Sequence, residues 1–257
     1  MTTAFTVDQL IGFLLVSVRI GTWLWITPPF GGRMVPAMVK VGVSLALALP
    51  LTPPAVEAAG TVPTTIGPIV WAVIQQVIIG GALGLASLSL LAAIQSAGSL
   101  IDLFGGFSVA QAYDPMLMQQ STVMARVYQM LAAVLMLVTG AYMVLMQGFA
   151  ATLEVLPIDG TLDLAATATT LTEALTTLFL SALQIAGPLI GISFLADVAL
   201  GLMTRVAPAL NAFSLGFPIK IGLTLILIAL AVPMLPPAVI GLSEDAVSAM
   251  AGIVGGG

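Results

Sequence analysis

Apolar residues in this chain come in long unbroken runs, and polar positions are confined to the short joints between them. Six such runs stand out, at about 9–27, 35–51, 66–97, 122–150, 171–203 and 213–235. A hydrocarbon core about 30 Å thick takes about 20 helical residues. The first, second and sixth runs match that length. The third, fourth and fifth exceed it, and the fifth would reach roughly 50 Å at 1.5 Å per residue. These segments must tilt, kink or project beyond the lipid. Gly187-Pro188 in the middle of the fifth supplies a kink, because Pro188 frees the carbonyl of Gln184. The expected fold is an all-α integral membrane protein of about six long, tilted and kinked helices arranged as hairpins.

One stretch resists that reading. Residues 98–118, G-S-L-I-D-L-F-G-G-F-S-V-A-Q-A-Y-D-P-M-L-M, are mostly apolar but do not read as one helix. Gly105-Gly106 loosens the backbone, and Asp114-Pro115 disfavours helical angles at Asp114 and removes a donor at Pro115. Within a bilayer, irregular backbone is tolerated only where protein or a water-filled cavity receives its polar groups. Two readings stand: a gate facing an internal lumen, or an ordinary interfacial loop. Met116 and Met118 follow Phe107 and Tyr113 closely and give a deformable apolar surface. Such a surface could seal a lumen or fill gaps in a helix–helix core, and composition does not separate the two.

Composition then narrows the class. The 257 residues are 60% hydrophobic and 7% charged, with a mean hydropathy of +1.17; soluble domains carry about 25% charged residues. Cysteine and histidine are both absent, which excludes Cys or His metal sites, thiol chemistry and Ser-His or Cys-His nucleophiles. No Walker A or Rossmann glycine motif occurs, so no cofactor is expected. Six scattered cations against a formal charge of −5 make no nucleic-acid patch. The N-terminus lacks the positive region of a signal peptide, so the first run is read as a retained helix. Arg33, Lys40, Arg126, Arg205 and Lys220 fall at every second joint, and Asp8, Glu57, Glu154, Asp159, Asp163, Glu173, Glu244 and Asp245 at the others. The positive-inside rule then puts the first, third and fifth joints in the cytoplasm and both termini outside. The tail from Ser243 to Gly257 is expected to fray.

Charges inside membrane helices are functional candidates by default. Arg19 lies mid-segment, Asp102 just after the third run, and Asp197 near the end of the fifth. They read as structural ion-pairing groups, with Arg19 also able to snorkel and Asp197 to meet Arg205. The alternative is a small-molecule or ion-coupled secondary transporter using all three. An intramembrane enzyme would need an acid–base constellation, and isolated Asp residues without a G-x-G-D pattern do not supply one; the chain reads as no enzyme. Gln75-Gln76 could bond between helices, and Gly80–Gly84 and Gly187–Gly191 have the spacing of close helix contacts.

Five motifs in order resemble one family. They are R-I-G-T-W-L-W-I-T-P-P-F from Arg19, V-P-A-M-V-K-V-G with Pro36 and Lys40, Q-Q-V-I-I-G-G-A-L-G from Gln75, the 98–118 stretch with Asp114-Pro115, and A-L-G-L-M-T-R-V-A-P-A-L-N-A-F-S-L-G-F-P-I-K ending at Lys220. Together these resemble the FliR/SctT family of type III export gate proteins, over about Arg19 to Lys220. The G-F-P-I-K form looks more flagellar than injectisome. The resemblance implies a subunit of a helical pore assembly, with residues 1–165 similar to FliP and 166–257 to a FliQ hairpin with a short tail. It implies partners similar to FliP, FliQ, FlhB and FlhA, unfolded exported proteins as cargo, and a place in the bacterial inner membrane at the flagellar basal body, in contact with lipid and without nucleic acid. The segment matching 106–118 looks like the family's plug: Gly106, Phe107, Val109 and Tyr113 would close the pore, with Met116 and Met118 as its rim. Arg19, Lys40, Asp102, Asp114, Arg126, Asp197, Arg205 and Lys220 would serve buried or interfacial charge pairing.

Overall fold

The computed structural model describes residues 6–31, 35–107, 123–206 and 212–256. The helices are α1 (Val7–Ile26), α2 (Ala37–Ala58), α3 (Ile66–Gly105), α4 (Val123–Val138), α5 (Ala141–Val155), α6 (Leu164–Val206), α7 (Ala212–Ala231) and α8 (Leu235–Gly255), with a 3-10 turn at Val232–Met234. No strand occurs among the described residues. The protein is therefore all-α. Five helical stretches are long and apolar enough to cross a membrane, or six if α4 and α5 form one broken span.

Two compact units share the chain. The first takes Met1–Leu91, Gly140–Thr176 and Gly241–Gly257; the second takes Ala92–Thr139 and Thr177–Ile240. In the first, α1 starts at a capping box: Gln9 N–H donates to Thr6 Oγ1 at 3.3 Å, and Thr6 N–H to Gln9 Oε1 at 3.2 Å. These bonds satisfy two of the donors that a helix start leaves open. Leu15, Val16, Ile20, Trp23 and Leu24 are all buried on α1. Trp23 stacks on Phe149 at 4.5 Å and donates its Nε1–H to Ser87 Oγ at 3.4 Å, joining α1, α3 and α5 at one point. Gly80 and Gly84 of α3 lie against α1: a Cβ on Gly80 would stand 2.5 Å from the Arg19 carbonyl oxygen, and one on Gly84 2.9 Å from Ile26 Cβ. Side chains at these positions would hold the helices apart.

The helices outrun the apolar blocks, each time for a local reason. α2 continues through Pro50, Pro53 and Pro54 to Ala58, where Thr52 and Ala55 are buried. α6 begins at Leu164 rather than near 171, because Asp163 Oδ1 accepts from the Ala165 and Ala166 N–H groups at 2.8 and 3.2 Å. Along its polar first turns Thr167, Thr169, Thr170, Thr172 and Thr176 each donate a hydroxyl to the carbonyl four residues back, so these side chains are satisfied within the helix. The fourth block is not one helix. It breaks at Gly140, whose φ of 75° is the left-handed region that glycine tolerates. The tail does not fray either: α8 runs to Gly255. Leu242, Ser243, Ala246, Met250 and Ile253 are buried along it at helical spacing, and Gly148 of α5 lies against Val247.

In the second unit, α3 extends past Ala97 to Gly105. A Cβ on Gly98 would meet the Met124 carbonyl oxygen at 2.7 Å and Ala125 Cα at 2.8 Å, so α3 and the start of α4 touch backbone to backbone. Gly187 and Gly191, in contrast, have nothing within 4 Å of an added Cβ. Their spacing marks no contact here.

Candidate functional site

Asp102 lies inside α3, not beyond it. Its side chain is fully buried, and Oδ2 accepts from the Met124 N–H at 2.7 Å and the Ala125 N–H at 3.2 Å. Those are two of the four backbone donors that the first turn of α4 cannot satisfy internally. A carboxylate there also meets the positive end of the helix dipole. Asp102 thus caps a helix from a neighbouring one, across the 108–122 segment. Oδ1 has no partner among the described residues. Gly98, Asp102 and Gly105 sit at i, i+4 and i+7, one face of α3. Gly98 admits the α4 backbone, Asp102 binds it, and at Gly105 the carbonyl accepts from Thr224 Oγ1 of α7 at 3.5 Å. The next residue, Gly106, turns the chain out of the helix at φ 87°. The two described ends of the 108–122 segment are therefore held side by side.

Of the residues assigned to a plug, Gly106 and the half-buried Phe107 are described; Val109, Tyr113, Met116 and Met118 lie outside the described residues, as does Asp114. Arg126 and Arg205 are exposed on α4 and α6. Asp197 does not meet Arg205. Its carboxylate accepts both hydrogen bonds from Lys220 Nζ, at 2.8 and 2.7 Å, linking α6 to α7. That acid is half exposed, so the pair adds little stability by itself.

Arg19 is fully buried, yet its partners are neutral. Nε donates to Gln76 Oε1, Nη1 to the Leu156 carbonyl at 2.7 Å and Nη2 to the Pro157 carbonyl at 3.2 Å. Gln76 Nε2 donates onward to the Ile158 carbonyl at 2.9 Å. The guanidinium thereby closes the C-terminal end of α5, where free carbonyls and the negative end of the dipole favour a cation. The expectation of an acidic partner for Arg19 fails for a physical reason. Two backbone carbonyls and one side-chain amide already meet the fork of N–H donors. Backbone carbonyls carry no residue-type signal, so the sequence marks Arg19 and Gln76 without marking what they bind. Lys40 is buried at the start of α2 with its Nζ 5.2 Å from the Trp25 ring centroid, a cation–π geometry. The charge pattern places Asp159 in the joint between the fourth and fifth runs without marking a partner. Its Oδ2 accepts from the Gly60 and Thr61 N–H groups at 3.0 and 3.2 Å, tying the α2–α3 and α5–α6 joints together.

Each of the three intramembrane charges is thus engaged locally: Arg19 with carbonyls, Asp102 with a helix start, Asp197 with a lysine. Arg19 and Asp102 are engaged by backbone groups, and Asp197 by a side chain. Comparison with known proteins adds the remaining constraint. A family model described as bacterial export proteins, family 1, matches residues 10–246. The chain is 32% identical over 220 residues to flagellar biosynthetic protein FliR of Escherichia coli (strain K12), covering 86% of this chain and 84% of that protein. It is 30% identical over 230 residues to the FliR of Bacillus subtilis (strain 168), covering 86% of each. It is 26% identical over 131 residues to the surface presentation of antigens protein SpaR of Shigella sonnei, covering 51% of this chain and 50% of that protein.

Proposed function

The chain belongs to the bacterial export proteins, family 1, and from that premise we propose that it is a channel subunit of the flagellar type III export gate. In this reading it passes unfolded flagellar proteins across the bacterial inner membrane. The observation that carries the reading is the match to FliR over 86% of the chain. The chain's own architecture is consistent with it: long apolar helices and polar groups spent on holding backbone. Energy and substrate choice come from partners similar to FliP, FliQ, FlhA and FlhB. The division at about residue 165 into FliP-like and FliQ-like parts belongs to the same proposal.

The segment 106–118 is the proposed plug. Phe107, Val109 and Tyr113 fill the resting pore after Gly106, and Met116 and Met118 form a rim that reshapes around a passing chain. What supports this is the base of the segment: the Asp102 cap on α4 and the glycine turn at 106. Such a base holds the two described ends of the segment beside each other. Deletion of 107–113 should raise ion leak through the assembled gate while assembly, read by complex mass, stays intact. An unchanged leak in an intact complex overturns the plug.

A further inference from the structure

Two adjoining cavities in the first unit form one groove between α2 and α5. The inner cavity, about 210 Å³, is lined by Trp23 of α1, Leu47 and Pro50 of α2, and Met146 and Phe149 of α5. The outer, about 260 Å³, lies one to two turns further along the same two helices, against Pro54, Ala151 and Glu154. Leu51, Gln147 and Ala150 line both, so the two are continuous. The room arises from small residues: Ala150 and Ala151 on one wall, with the Trp23–Phe149 stack closing the inner end.

The groove is graded. Its inner half offers apolar side chains with the Gln147 amide at the junction, and its outer half ends on the Glu154 carboxylate. Gln147 and Glu154 are seven residues apart, so they project from one face of α5 about 10 Å apart. The outer end is also negative. Glu57 follows Pro54 on α2 within one turn, Asp159 bridges the adjoining joints, and Asp163 caps α6. Among the described residues of this unit the cations are Arg19, committed to Gln76 and two carbonyls, and Lys40 near the opposite end of α2, over Trp25. Neither lines either cavity.

We propose that the groove binds a glycerophospholipid with a primary-ammonium headgroup of the ethanolamine type. Part of one acyl chain fills the inner half, the Gln147 amide donates to the ester or phosphate oxygens, and the ammonium donates to Glu154. An anionic lipid would set its net negative charge against Glu154, Glu57 and Asp159. A choline head has no N–H to donate. The proposal is independent of the export reading.

The test is native mass spectrometry of the full-length chain, purified in mild detergent from membranes holding both ethanolamine and glycerol headgroups. One ethanolamine-type lipid per chain should survive, with a retained ethanolamine-to-glycerol headgroup ratio about tenfold above that of the bulk lipid. Ala150→Trp should lose it, and Ala150→Leu serves if the larger residue prevents folding. Glu154→Lys, at an exposed position, should reverse the headgroup preference while the chain still folds. Equal retention by the wild type and an Ala150 variant that folds means annular lipid only, and overturns the proposal. So does a headgroup preference that Glu154→Lys leaves unchanged, or a cross-link in the assembled complex placing a partner polypeptide in the groove.

Discussion

At the scale of single residues, two buried charges act on backbone rather than on each other. Arg19 supplies donors to two carbonyls and to Gln76, which passes a further donor to Ile158. Arg19→Leu strands these acceptors in a dry interior, where each orphaned group costs about 1–3 kcal/mol. The expected loss is about 3 kcal/mol, seen as a fall of about 6–12 °C in the Tm of the detergent-solubilised chain. Arg19→Lys should lie between, since one ammonium cannot reproduce the guanidinium's spread of donors. A Tm unchanged in Arg19→Leu would show that the network contributes nothing. The charges were legible in the sequence; their partners were not. A carbonyl carries the same chemistry at every position, and only the fold decides which of them faces Arg19.

At the scale of elements, glycine separates true contacts from accidental spacing. Gly98 holds α4 against α3 by backbone contact, whereas Gly187 meets nothing. Gly98→Ala should therefore cost about 1–3 kcal/mol through forced separation, while Gly187→Ala should be neutral or stabilise by up to about 1 kcal/mol through helix propensity. Paired thermal melts of the two variants check this, and equal shifts would contradict it. The small-xxx-small pattern marks Gly80–Gly84, which lies against α1, and Gly187–Gly191, which meets nothing, because spacing records which residues share a face and not what lies opposite. Element ends were legible in the same partial way. Apolar content placed the helices, but their ends follow local details: the Asp163 cap on α6, and Gly140 between α4 and α5.

At the scale of the whole molecule, α3 and α6, with 40 and 43 residues, would measure about 60 and 65 Å. A hydrocarbon core is about half that. Phe179, Phe194, Leu195 and Leu202 are exposed along α6, more apolar surface than an aqueous stretch of helix leaves open. Co-expression with FliP-like and FliQ-like proteins should yield a stable complex containing this chain, read by mass in mild detergent. A chain that purifies alone, monodisperse and without them would contradict the gate reading. The all-α membrane class followed from block length and composition, which report transfer free energy directly. The division into two units interleaved along the chain did not, since no local pattern encodes which distant segments meet.

The Arg19 network also sets a timetable. Its carbonyl acceptor at Leu156 lies 137 residues later in the chain, so at synthesis rates of about 5–20 residues per second it emerges roughly 7–30 s after Arg19 does. Gln76, 57 residues after Arg19, arrives earlier, but throughout that interval α1 carries a cation whose carbonyl partners do not yet exist. The nascent helix must wait with its guanidinium drawn to water or sheltered by the insertion machinery, and it becomes a settled membrane segment only when the end of α5 arrives. Maturation of the first helix is thereby coupled to translation of the fifth.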